Sequence, residues 1–170
     1  MKISASNATW FARSVAIAIA LLVGVEGMST KSYKDTGGVW TICYGYTHNV
    51  KKGDTATPPQ CWGMLKSEAE ATGKAIAPYL PSTLNPNQYA ALISFCYNVG
   101  TGNCRDSTLF RLINAGKIDE AAQQFQRWKF VKGKDCTIRA NNCLGIPKRR
   151  MAEQMLFEQP YTIADKVNDK

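Results

Sequence analysis

Histidine is almost absent, because the 170-residue chain has only one, His48. A metal site built from several histidines is therefore excluded, and a Ser-His-Asp or Cys-His arrangement would depend on that single residue. No two of the six cysteines have the C-x-x-C spacing of zinc or thioredoxin motifs. Thirteen glycines and seven prolines are too few for a fibrous or disordered chain. The chemistry of this protein must come from other residue types.

The size of the chain does not explain its cysteines. A chain of 170 residues buries roughly two-thirds of its unfolded surface and folds without covalent links. An even number of cysteines instead indicates disulfides, which persist outside the cytosol. We expect neighbours in sequence to pair, because each pair closes a local loop: Cys43–Cys61, Cys96–Cys104 and Cys136–Cys143. Free thiols that fill the core are the alternative.

Acidic residues are scarce between Arg127 and Arg150. This window holds eight lysines and arginines against one acid, Asp135, and so supplies +7 of the net charge of +8. A basic face of this kind attracts polyanions such as nucleic acid, anionic lipid or acidic envelope polymers, and the alternative is a solvated face that aids solubility. No recognition helix, finger or RNP-type motif accompanies it, so nucleic acid is the least favoured partner.

The N-terminal region lacks an uncharged apolar run long enough to cross a bilayer. Residues 14–25 are twelve residues without a charge, and as a helix they rise about 18 Å, short of a hydrocarbon layer of roughly 30 Å. Extending the run back to Trp10 places Arg13 inside it. The segment has the size of a signal-peptide apolar region. An ordinary buried helix has the same length.

A possible signal-peptidase cleavage site lies just after the apolar segment, and a cut there would remove Glu26 from the mature protein. Val25 and Gly27 are the small residues that a signal peptidase would need before a cut after Gly27. An exported segment that is poorly cleaved and too weakly apolar to stay in the bilayer is the other interpretation.

Turn and capping residues predict a small β-containing lobe followed by a larger helical lobe, an α+β fold. Glycines at a turn over residues 36–38 separate two predicted strands, residues 31–35 and 39–46. Residues 48–62 have the composition of a loop. Predicted helices then begin at a capping box Ser67–Glu70, at Asn85 to end at Gly100, and at Ser107 to end at Gly116, with two more over residues 121–128 and 147–157.

Two acids differ in their predicted surroundings. Glu26 ends the apolar segment, where desolvation would favour the protonated carboxyl, whereas Asp35 lies at the hairpin turn, close to water. If residues 36–38 form the turn, Asp35 faces Val39, and Thr41 falls on the same strand face. Two carboxyl groups in contrasting environments are the layout for glycosidic bond hydrolysis.

The ordered motifs resemble those of the phage-type lysozymes, glycoside hydrolase family 24. Glu26, eight residues, Asp35, five residues and Thr41 match the catalytic pattern of that family. The segment Gln88 to Gly100 resembles its central helix, and the resemblance extends from about Val23 to Phe157. Further motifs resemble its C-terminal lobe: Ser107 to Asn114, Ala121-Ala122, Arg127-Trp128 and Gly145 with Arg149-Arg150.

The resemblance implies a reaction and a role for each residue. Glu26 would be the general acid, and Asp35 and Thr41 would position the attacking water, with inversion at the sugar carbon. The implied substrate is peptidoglycan, cut between N-acetylmuramic acid and N-acetylglucosamine, with no metal or cofactor. Tyr97 and Asn98 would line the cleft. Where relatives often have a histidine after the threonine, this chain has Tyr44-Gly45-Tyr46, and His48 is expected to be a loop residue.

The apolar segment before Glu26 further resembles that of signal-arrest-release endolysins. These enzymes are tethered inactive in the host inner membrane and are then released, active, into the periplasm. The resemblance implies an anchor and first helix over residues 1–25, a catalytic domain over residues 26–170, and a monomer. The first 42 residues contain no cysteine, so a thiol-exchange switch is not expected. A lytic transglycosylase and a cationic envelope-binding protein are the alternatives.

Overall fold

Seven helices and two small antiparallel hairpins make up residues 5–35 and 37–162, the part of the chain that the computed structural model describes. This confirms the predicted α+β class. The helices are α1 Ala5–Val25, α2 Pro58–Ile76, α3 Pro86–Val99, α4 Thr101–Arg105, α5 Thr108–Asn114, α6 Ile118–Gln124 and α7 Gly145–Glu158. The strands are β1 Ser29–Lys34, β2 Trp40–Cys43, β3 Phe130–Val131 and β4 Lys134–Asp135, and short 3₁₀ turns lie at Ala77–Tyr79, Phe125–Arg127 and Arg139–Asn141.

Helix α1 is longer than the apolar segment that the sequence predicted. It has 21 residues and so rises about 31 Å, enough to span a hydrocarbon layer. Before the apolar segment, Trp10 and Phe11 pack against Tyr89, with ring centroids 4.7 and 6.3 Å from that of Tyr89. By length and composition Ala8–Val25 meets the requirements of a membrane span. Core helices and signal sequences meet the same requirements.

The β1–β2 hairpin was predicted, although both strands begin elsewhere and β2 is shorter than predicted. Strand β1 starts at Ser29, and β2 ends at Cys43 rather than at residue 46, because Cys43 has a positive φ of 60°. Tyr33 pairs with Thr41 across the hairpin. Gly38 has a φ of 82° at the turn, which favours glycine. Thr36, the first residue of the predicted turn, lies outside the described residues.

The predicted start of α2 was wrong by about ten residues. The helix begins at Pro58, within the predicted loop, and Ser67 lies in its interior. Its capping box is Thr57 with Gln60: the Thr57 hydroxyl accepts from the Gln60 N–H, and the Gln60 side chain accepts from the Thr57 N–H. Proline is well tolerated in the first turn of a helix, where its missing N–H has no partner to lose.

Helix α3 is the centre of the core, and its predicted limits are confirmed. Asn85 and Gln88 form the capping box, and Gly100 ends the helix with a φ of 87°. Helices α1, α2 and α7 all pack against α3. Nearly every residue from Pro86 to Cys96 is buried, because neighbours surround the helix.

The C-terminal lobe follows the predicted order with small shifts at the helix ends. Ser107 caps α5, as predicted, and its hydroxyl accepts from the Phe110 N–H. Helix α6 begins at Ile118 and is continued by the 3₁₀ turn to Arg127. Helix α7 begins two residues before the predicted helix, at Gly145.

The three predicted disulfides are all present. Cys43–Cys61 joins the end of β2 to α2, Cys96–Cys104 joins α3 to α4, and Cys136–Cys143 closes a loop before α7. None of the cysteines remains a free thiol.

Candidate active site

Glu26 is placed by the end of α1. Its N–H donates to the Leu22 carbonyl at 2.8 Å, so the last helical turn fixes the start of the side chain. The side chain is 21% exposed and pairs with the guanidinium of Arg149 from α7. The predicted apolar surroundings of Glu26 are therefore wrong: a buried cation 123 residues further along the chain contacts it.

Arg149 and Arg150 correct the prediction of a basic face. The side chains of these two arginines are 5% and 0% exposed, so they belong to the interior and not to the surface. Arg149 faces Glu26, and Arg150 lies 3.2 Å from Glu153 on the same helix. Sequence reasoning missed Arg149 as a site residue, because a cluster of cations in sequence does not reveal which of them are buried.

Asp35 is held by the turn of the β1–β2 hairpin. Its N–H donates to the Val39 carbonyl at 3.0 Å, and its Oδ1 accepts from the Val39 N–H at 2.8 Å. Its carbonyl accepts from the Gly38 N–H at 2.9 Å. The predicted alignment of Asp35 with Val39 is confirmed. A Cβ at Gly37 would lie 3.1 Å from Asp35 Oδ1, so glycine leaves room for the carboxylate.

Thr41 and Asp35 are both bonded to Val39, the residue just before β2. The Thr41 hydroxyl donates to the Val39 carbonyl at 3.1 Å, while the Val39 N–H donates to Asp35. The Thr41 side chain is only 3% exposed. The hairpin thus connects the carboxylate and the hydroxyl through the backbone of Val39.

The charges of both acids, Glu26 and Asp35, act on Tyr33. It lies opposite Thr41 in the hairpin. Burial raises the pKa of its phenol, and the charges of Glu26 and Asp35 raise it further. The two carboxyl groups therefore act on one side chain. Sequence reasoning missed Tyr33, although its place opposite Thr41 followed from the predicted turn.

The end of α3 contributes Tyr97 next to Glu26. The Tyr97 hydroxyl donates to the Tyr44 carbonyl at 2.8 Å. Burial raises the pKa of Tyr97, and the charge of Glu26 adds to this effect. A Cβ at Gly45, which has a φ of 85°, would lie 3.6 Å from Glu26 Oε1 and 3.9 Å from Tyr97 Cε1. The backbone conformation of Gly45 therefore favours glycine, and the Tyr44-Gly45-Tyr46 segment packs against the acid at ordinary contact distance.

Asn98 is exposed at the end of α3, and its Oδ1 accepts from Arg150 Nη2 at 2.7 Å. His48 lies in a loop, as predicted, and its Nε2 is 3.3 Å from a Glu68 oxygen. Within residues 5–35 and 37–162, no group of three or more His, Cys, Asp and Glu side chains is arranged to hold a metal ion.

Comparisons with known proteins agree with this geometry. The Phage lysozyme family matches residues 23–153. An SAR-endolysin of Pseudomonas phage phiKMV is 39% identical over 142 residues, which are 82% of this chain and 85% of that protein. An SAR-endolysin of Enterobacteria phage PA-2 is 39% identical over 128 residues, which are 71% of this chain and 78% of that protein.

A solved structure supports the same assignment. The crystal structure of a P22 lysozyme mutant superposes with a TM-score of 0.67 at 31% identity, and covers 84% of this chain and 95% of the other. The family match spans the end of α1, the hairpin and the end of α3, and so includes every residue assigned to the site. The chain belongs to the phage lysozyme family.

Proposed function

We propose that Glu26, Asp35 and Thr41 hydrolyse the β-1,4 bond between N-acetylmuramic acid and N-acetylglucosamine. Membership of the phage lysozyme family makes the chain a glycosidase that degrades peptidoglycan in host lysis. The observation that carries the assignment of residues is the placement of two carboxyl groups, in unlike surroundings, around Tyr33.

The roles follow from those surroundings. Glu26, half-buried at the end of α1, protonates the leaving glycosidic oxygen. Asp35 is held at a hairpin turn beside solvent, where its carboxylate accepts a proton from water. Thr41 orients that water with its hydroxyl. Attack by water on the face opposite the acid gives inversion at the sugar carbon.

Tyr97 and Asn98 are proposed to bind the sugar chain. They end the central helix next to Glu26, and their side chains are fixed by bonds to the Tyr44 carbonyl and to Arg150. Rigid side chains position a substrate better than mobile ones, and a misplacement of about 1 Å can cost about 10²-fold in rate.

We also propose that α1 serves first as a membrane anchor and then as a core helix. Residues 14–25 would hold the chain in the host inner membrane, with Glu26 at the surface and unable to meet Asp35 across the cleft. On release into the periplasm, α1 would pack against the catalytic domain that begins at Glu26, and the enzyme would act as a monomer. The SAR-endolysin relatives and the length and apolar composition of Ala8–Val25 support this order of events.

The Glu26→Gln variant tests the catalytic assignment. The substitution is nearly isosteric but cannot donate a proton, so clearance of chloroform-treated Gram-negative cells should fall by about 10²–10⁴-fold. Glu120→Gln, at an exposed position of α6, is the matched control and should keep wild-type activity. The anomeric configuration of the new reducing end, read by NMR immediately after cleavage, tests inversion.

Three outcomes would contradict the proposal. If the Glu26→Gln enzyme kept more than about a tenth of the wild-type rate, Glu26 would not be the general acid. An anhydromuramyl product would show a lytic transglycosylase, which needs neither Asp35 nor Thr41. An active mature protein that begins at Met28 would lack Glu26 and would also defeat the anchor-to-core mechanism.

A further inference from the structure

A buried cluster of charges connects the candidate acid to α7 and α3. Arg150 and Glu153 are both fully buried. Arg150 Nε lies 3.2 Å from Glu153 Oε2 without hydrogen-bond alignment, so the contact between these two atoms is an ion pair only. Glu153 Oε1 accepts from the Ser94 hydroxyl at 2.8 Å. The preceding arginine, Arg149, pairs with Glu26.

Stability does not account for this cluster. A buried ion pair loses hydration that its mutual attraction often fails to recover, and apolar residues of similar volume are frequently as stable. The guanidinium of Arg150 already lies 4.9 Å from the centroid of the Phe95 ring, in an otherwise apolar core. A fully buried carboxyl next to two arginines therefore calls for a functional explanation.

The explanation lies in a conflict at Glu26. A general acid must keep its proton until the transition state, yet Arg149 contacts Glu26 and Arg150 follows directly in sequence. Two buried cations favour the ionised carboxylate and so promote early loss of that proton. An anion placed beside the arginines offsets their effect.

We propose that Glu153 is a positioning residue for the reaction, whose carboxylate balances the charge of Arg149 and Arg150 and so preserves the proton on Glu26. The inference rests on the proposed role of Glu26 as the general acid. Glu153 would act through the two arginines and not by contact with the substrate, because it is completely buried and does not meet solvent.

The electrostatics of the cluster set the pH range in which Glu153 can act, because only its ionised form balances the arginines. Burial raises the pKa of Glu153 to about 7, against the effects of Arg150, Ser94 and Arg149, and the charge of Glu26 raises it further. The negative charges of Glu26 and Glu153 therefore repel each other. Burial lowers the pKa of Arg150 to about 10, which leaves it charged at neutral pH.

Other groups also face the two acids. The charge of Glu26 acts on Tyr97 from α3 and on Tyr33 from β1. The raised pKa values of both phenols keep them neutral around pH 7. Asp35 acts on Tyr33 from the hairpin turn. Glu153 is faced by the two arginines, by Ser94 and by Glu26. Among these described groups, Glu153 is the carboxyl that contacts an arginine without belonging to the catalytic set.

The test is the pH dependence of kcat/KM for the full-length enzyme on purified peptidoglycan. In Glu153→Gln the arginines are no longer balanced, so Glu26 loses its proton at lower pH. We expect the alkaline limb of the profile to move to lower pH by about half a unit. Glu158→Gln, at an exposed position of the same helix, is the matched control and should leave the limb in place.

Two further variants keep the test decisive if Glu153→Gln folds poorly. Arg150→Met combined with Glu153→Gln removes one charge of each sign, so the limb should return to the wild-type position. Ser94→Ala removes a donor that stabilises the Glu153 carboxylate, so the limb should move to lower pH by a smaller amount than in Glu153→Gln.

The outcomes separate this inference from the proposed function. A Glu153→Gln limb within about 0.2 pH unit of wild type, or a double variant that stays shifted, would overturn the role of Glu153. A lower melting temperature with an unmoved limb would show a structural role only. If Glu26→Gln were active, the proposed function itself would fail, whatever the behaviour of Glu153.

Discussion

Helices α1 and α3 are both apolar and pack against each other, yet they are buried to very different degrees. In α3 almost every side chain from Pro86 to Cys96 is buried. In the apolar window Ala8–Val25 of α1, only 28% of the residues are buried. The buried residues of α1 form one stripe, Ser14, Val15, Ala18, Ile19 and Leu22.

This difference in burial indicates that α3 has one environment, the protein core, whereas α1 is suited to two, the protein core and a membrane. The surroundings of α3 are fixed on all sides by other helices, so each of its apolar residues is needed in the folded state. The exposed face of α1 carries the small residues Ala16, Ala20 and Gly24 at helical spacing. Small residues are tolerated in water and add little to membrane affinity, which fits an anchor that must be released.

The largest expected effect is in α3. Phe95→Ala should lower the free energy of unfolding by about 3–5 kcal/mol, because a buried aromatic side chain leaves a cavity. Its ring contacts those of Phe125 and Trp128, with centroids 5.4 and 5.2 Å away. Urea denaturation with the disulfides intact measures the change. Val23→Ala on the exposed face of α1 is the control, with a change within about 0.5 kcal/mol.

A second variant tests whether α1 belongs to the core of the released enzyme. Leu22 is fully buried, so Leu22→Ala should cost about 3 kcal/mol in the same denaturation measurement. A loss below about 1 kcal/mol would mean that α1 does not pack against the catalytic domain in solution. That result would contradict the proposed anchor-to-core transition and leave the catalytic assignment untouched.

The smallest expected effect compares the two faces of α1 with one substitution. Ala18 is fully buried and Ala16 is exposed, so Ala18→Leu should overpack the core and cost about 1–3 kcal/mol, whereas Ala16→Leu should change stability by less than about 0.5 kcal/mol. In the membrane both leucines face lipid, and each adds about 2 kcal/mol of apolar transfer energy. Both variants should therefore delay lysis, measured from culture turbidity together with membrane fractionation.

Equal stabilities for the two variants would contradict the one-sided burial of α1. Unchanged lysis times for both would contradict the membrane stage. The two measurements thus test the packing of α1 and its earlier role separately.

Local signals predicted the elements whose determinants lie close together in the chain. The capping box of α3, the Ser107 cap of α5 and the β1–β2 turn depend on residues within a few positions of each other, so they could be recognised from the sequence. The sequence does not predict the start of α2, because Pro58 and Pro59 are as typical of a loop as of the first turn of a helix. The capping partners Thr57 and Gln60 make the same prolines a helix start.

The sequence by itself determined the family, the spacing of Glu26, Asp35 and Thr41, and the three disulfides, because each motif or pairing is local or ordered along the chain. Only the tertiary structure decided which charges are buried. Arg149 reaches Glu26 from more than 100 residues away, and Glu153 meets Ser94 across two packed helices. From the sequence alone, a cluster of cations indicates an exposed basic surface. Packing of α7 against α3 and the end of α1 removes two of those arginines from water, and one of them, Arg149, pairs with the candidate acid Glu26.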